Sequence, residues 1–108
     1  MASVRVTLLR PRTGDEEELL EALQQLDNYL GASAGLLMSM VLRDSGGAVG
    51  RMAVWESAAT ANGEAVTHHV LALRSRIQGL AEEVLVDNLL DAASGWATGV
   101  PVGAEPAA

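Results

Sequence analysis

Apolar positions first recur with a period of two. Val4, Val6 and Leu8 fall on one face of a segment whose other face carries Arg5, Thr7 and Leu9, which predicts a strand over Val4–Leu9 closed by Pro11. The period then lengthens. Leu19, Leu23, Leu26 and Leu30, with Leu20, make one stripe at helical spacing and predict a helix over 14–30 that Gly31 stops. Thr13 and Glu16 have capping-box spacing, and Asp15–Glu18 lie where a helix dipole favours acids. Ala34–Arg43 is apolar on nearly both faces, as in a strand covered on both sides. Asp44-Ser-Gly-Gly47 is a turn, and Ala48–Glu56 returns as the second arm of a hairpin. Ser57 can cap the helical stretch 58–79, which Asn62-Gly63 interrupts and whose stripe is Val66, Val70, Leu73 and Ile77. Glu83–Leu90 is the fourth strand.

The order β-α-β-β-α-β predicts an α+β, ferredoxin-like domain over 1–95, a four-stranded antiparallel sheet with two helices on one face. Residues 96–108 turn to Ala, Gly and Pro and are expected to form a flexible tail. Helices cover one face only, yet the second and third strands are apolar on both. The uncovered face is therefore expected to meet a second copy, giving a homodimeric α/β barrel.

Composition narrows the functions. The 108-residue chain carries a net charge of −7, and its seven basic residues are all arginine, so a phosphate backbone is an unfavourable partner and no nucleic acid is expected. There is no cysteine, which excludes disulfides and thiolate chemistry. No apolar run reaches membrane-spanning length and no leader pattern opens the chain, so a cytoplasmic protein without membrane contact is expected. No phosphate-binding glycine loop, Ser-His-Asp set or H-E-x-x-H is present.

The candidate chemistry gathers around Trp55 and the pair His68-His69. Adjacent residues do not share a helix face. His69, one turn from Val66 and Leu73, is placed with the apolar stripe, and His68 beside Glu64 and Ala72 towards water. No third side chain has the spacing to complete a metal site with them. His69 is a candidate base, proton donor or axial ligand, against the alternative of a core histidine bonded to backbone. Trp55 either lines a pocket or fills the core. Arg51 shares strand parity with Trp55, and either binds an anion bidentately or pairs with Asp87. Met38 and Met40 are candidate walls of an adaptable apolar pocket, against a place in the core or an interface.

The order of elements, with Trp55-Glu-Ser and His69-Val-Leu-Ala-Leu, resembles the antibiotic biosynthesis monooxygenase domains of the dimeric α/β-barrel superfamily. The resemblance implies a pocket between sheet and helices in each subunit. It implies one of two activities: oxidation of aromatic phenols by dioxygen with no cofactor, or haem binding and breakdown with a histidine ligand, here His69. Amides matter in such relatives; the matching positions here hold Thr7 and Arg51. The expected function is therefore oxidation of a small aromatic substrate in a pocket bounded by Thr7, Arg51, Trp55 and His69, with His69 as base and Arg51 holding the anion. The alternatives are a ligand-binding or accessory dimer without catalysis, and a haem protein.

Overall fold

The structure, a computed structural model, describes residues 1–63, 67–97 and 100–101. Strand β1 (Ser3–Pro11) leads into helix α1 (Glu16–Leu30), the hairpin β2 (Leu36–Arg43) and β3 (Val49–Trp55), the short helix α2 (Ala58–Gly63), helix α3 (His68–Leu80) and strand β4 (Ala81–Asp91). The four long strands form one antiparallel sheet in the order β2-β3-β1-β4. This is the ferredoxin-like arrangement that the hydrophobic pattern predicts.

Register assigns every side chain to a face. Thr7 lies opposite Arg51 on β3 and Asp87 on β4, and Leu9 opposite Val49. These side chains share the face that the helices cover. Leu19, Ala22, Leu23, Leu26 and Leu30 of α1 close on Val70, Leu73 and Ile77 of α3 above Leu9, Val49 and Ala81. Val4, Val6, Leu8, Met38, Met40, Met52 and Leu90 belong to the opposite face, which no helix among the described residues covers.

Several local expectations are corrected. Thr13 does not cap α1: Gly14, at φ +85°, turns the chain so that the amide of Asp15 donates to Arg12 O, and the helix starts at Glu16 with no side-chain cap. Gly31 stays right-handed, and the positive φ falls at Gly35 (+86°), where a Cβ would press into Thr60. The cap at Ser57 does form: Thr60 N donates to Ser57 Oγ, while Ser57 N donates to Thr60 Oγ1, both 3.2 Å. Helix α3 runs past Gly79 directly into β4. Val66 and Glu64, and most of the expected tail, lie outside the described residues. Within that tail two short strands, β5 (Trp96–Ala97) and β6 (Val100–Pro101), pair with each other. No helix among the described residues is long and apolar enough to cross a membrane.

Candidate functional site

A cavity of about 230 Å³ opens between the helices and the β1–β4 side of the sheet. Its apolar wall is Leu23 and Leu26 of α1 with Ile77 of α3 and Leu9 of β1; its polar side is Arg5, Thr7, Arg51, Arg74 and Asp87. Strand parity and the helical repeat together produce this lining. Residues 5, 7 and 9 point the same way from β1, and positions 74, 77 and 78 of α3 face them from above.

Arg51 is fixed from α1. Its Nε donates to Asp27 Oδ1 at 2.8 Å, and its side chain is only 8% exposed. Arg51 Nη2 is buried without a hydrogen-bond partner, and so is Nε of Arg74. Across the cavity Asp87 Oδ1 accepts from Arg5 Nη2 at 3.1 Å and from Thr7 Oγ1 at 3.4 Å. Burial lowers the pKa of Arg74 below the usual guanidinium value; the charges of Arg5 and Arg51 lower it further, and Asp87 partly opposes them. Three of the seven arginines of an acidic chain thus converge on one partly dry volume, and two of them carry buried donors with nothing to bond.

No family model matches the sequence, and no curated protein matches it. Solved structures do match the fold. Rv0793 from Mycobacterium tuberculosis superposes with a TM-score of 0.76 at 15% identity, over 83% of this chain and 93% of that one. A candidate antibiotic biosynthesis monooxygenase from Chloroflexus aurantiacus gives 0.73 at 17% identity, over 98% of both chains. SnoaB, a cofactor-independent oxygenase from Streptomyces nogalater, gives 0.74 at 14% identity, over 84% of this chain and 92% of its own. The fold is that of the antibiotic biosynthesis monooxygenases.

Within this antibiotic biosynthesis monooxygenase fold the six residues singled out in the sequence divide. Thr7 and Arg51 meet in the cavity. Trp55 shares their face but stands four residues further along β3, about 13 Å at roughly 3.3 Å per residue. There it is 2% exposed and packs with Ala53, Ala61 and Leu36, a core position outside the cavity lining. His69 is exposed in the first turn of α3, where its ring lies 4.3 Å from that of Tyr29. The expected place of His69 on the buried stripe is corrected: the stripe of α3 is Val70, Leu73 and Ile77, and His69 flanks it. Met38 and Met40 face away from the cavity, on the uncovered side of the sheet. The alternative pairing of Arg51 with Asp87 is also corrected, because Asp27 takes Arg51 and Arg5 takes Asp87.

The sequence reading missed Arg5 and Arg74 as site residues. A signal for Arg74 was present: it lies one turn after Val70 and three residues before Ile77, so it borders the buried stripe.

A haem does not suit these residues. His69 is outside the cavity, and about 230 Å³ exceeds only modestly the roughly 150 Å³ that takes one benzene, far short of a porphyrin. Among the described residues no group of three His, Cys, Asp or Glu side chains is placed to hold a metal ion.

Proposed function

We propose that the protein is a monooxygenase-like enzyme that oxidises a small aromatic substrate of about one ring in the cavity between sheet and helices, with dioxygen as oxidant. The observation that carries this reading is the cavity itself: an apolar slot whose polar end holds Arg51, Thr7 and Asp87. The fold shared with a cofactor-independent oxygenase supports it. Leu23, Leu26 and Ile77 accept the ring. Arg51 holds the anion formed when a phenolic hydroxyl loses its proton, and Asp87, beside Thr7, takes that proton up. The electron-rich phenolate then gives electrons to dioxygen. One oxygen atom becomes the new carbonyl of a quinone and the other leaves as water, so that phenol and dioxygen balance quinone and water. His69, outside the cavity, has no part in it.

The uncovered sheet face supports a homodimer. Val4, Val6, Leu8, Met40, Met52 and Leu90 form one apolar surface, with Met40 39% and Leu90 52% exposed in the single chain. A second copy of the same sheet is self-complementary to it and would complete the α/β barrel.

One observation favours a ligand-binding protein without catalysis: the cavity holds no histidine, and its acid Asp87 already accepts from Arg5. Oxygen uptake separates the two readings. A panel of single-ring phenols in air should show one dioxygen consumed per phenol, reduced at least tenfold in Arg51→Met. No uptake across the panel, with binding retained, assigns the cavity to binding alone.

A further inference from the structure

Arg74 is singular among the arginines. Arg5, Arg10, Arg43, Arg51 and Arg76 each reach a carboxylate, and Arg12 donates to the carbonyl of Gly79. Among the described residues Arg74 has no acceptor at all, and its Nε is buried. Burying part of a guanidinium without a hydrogen-bonded acceptor is costly. Arg5 and Arg51 stand beside Arg74 and raise that cost, which the charge of Asp87 relieves only in part. Leu23, Leu26 and Ile77 line the same cavity as apolar wall.

We propose that Arg74 forms a receptor for the carboxylate of a single-ring aromatic acid, and so determines which substrates enter the cavity, while Arg51 keeps its place at the phenolic oxygen. A carboxylate is the natural complement. It is planar, accepts two donors at once, and matches the edge of a guanidinium better than a neutral hydroxyl does. The apolar wall takes the ring, and a volume of about 230 Å³ leaves room for little more. The Nε of Arg74 is covered in the empty cavity, so a carboxylate reaches this guanidinium only when the side chain shifts. Counter-charge on the protein side is incomplete. Asp27 serves Arg51, Asp87 serves Arg5, and Glu83 serves Arg10, while Glu82 stands exposed at the cavity edge. This inference rests on the cavity being a ligand chamber, not on oxidation taking place there.

The test is calorimetric titration of the intact protein with benzoate, benzyl alcohol and inorganic phosphate. Benzoate, which lacks a hydroxyl to oxidise, should bind at least tenfold more tightly than the other two. Arg74→Gln should weaken benzoate at least tenfold and leave benzyl alcohol unchanged, with Arg74→Lys between. Arg74→Gln removes a half-buried charge from a helix that glutamine supports, so it should fold; a circular-dichroism melt checks that. Equal binding of benzoate and benzyl alcohol, benzoate affinity unmoved in Arg74→Gln, or phosphate binding as tightly as benzoate would each overturn the proposal. Tight, Arg74-dependent benzoate binding in a protein that consumes no oxygen would sustain it while removing the oxygenase reading.

Discussion

Arg51 on β3 and Asp27 on α1 form a nearly buried ion pair, Nε to Oδ1 at 2.8 Å, that ties the helix layer to the sheet at the edge of the cavity. The pair is stabilising only while both members are present. Asp27→Leu leaves a guanidinium buried without its counter-ion, a loss of about 3 kcal/mol. The double variant Asp27→Leu/Arg51→Met replaces the pair by apolar bulk and should recover most of that. A urea-denaturation double-mutant cycle should give a coupling of about 1–3 kcal/mol; additive losses would show the pair to be structurally idle.

His69→Ala should change neither benzoate affinity nor any oxygen uptake, because the ring lies on Tyr29 outside the cavity. Its cost in stability should stay below about 1 kcal/mol, the scale of one exposed aromatic contact. Loss of turnover in this variant would restore His69 as a base and displace Asp87.

The two tryptophans should report opposite environments. Trp55 is 2% exposed and Trp96 is 71% exposed. In Trp96→Phe the remaining emission should be blue-shifted and shielded from iodide quenching. In Trp55→Phe it should be red-shifted and readily quenched. Trp55→Ala should cost about 3–5 kcal/mol by chemical denaturation, the price of emptying a large core site. Ready quenching of Trp55 would put it in an open pocket and not in the core.

Parity, ion pairing and helix phase were not equally legible in the sequence. Alternation groups Thr7 with Arg5 and Leu9 on β1 and Arg51 with Trp55 on β3, because a pleated strand leaves each side chain only two directions, while the register, which no single strand encodes, sets Thr7 opposite Arg51. The same rule put Trp55 beside Arg51 in direction but said nothing about distance along the strand. Helical spacing gives the stripe Val70, Leu73 and Ile77 of α3 as observed, but the placement of His69 leaned on Val66 as well; α3 is capped by Thr67, whose Oγ1 accepts from Val70 N, and His69 falls in its exposed first turn beside the stripe. The partner of Arg51 depended on how α1 lies across the sheet, which no local pattern encodes.

The uncovered sheet face predicts a dimer that a single charge can split. Met52→Glu, at the centre of that face on β3, should shift the mass measured by light scattering from two chains to one without disturbing the helix-side cavity. A wild-type mass of one chain would leave the apolar face without its expected occupant.

The effect of pH follows from Arg74. Its lowered pKa means that the folded chain binds this proton less tightly than the unfolded chain, so the charged form costs stability throughout the range below that pKa, and the cost fades only as pH rises through it. A bound carboxylate favours the charged form and offsets the cost. Because arginine and benzoate both keep their charges, the rise in Tm on adding benzoate should be constant from about pH 6 to about pH 8.5. A ligand held by a histidine would lose its effect above about pH 6.5.

The volume between helices and sheet is the proposed ligand chamber. Two-dimensional NMR of the nitrogen-15-labelled protein titrated with 4-hydroxybenzoate tests that most directly. The amides of Thr7, Arg51, Ile77 and Asp87 and the Nε–H signals of Arg51 and Arg74 should shift together, while those of His69 and Trp55 stay in place. Shifts confined to Met40, Met52 and Leu90 on the uncovered face, or to His69, would contradict it.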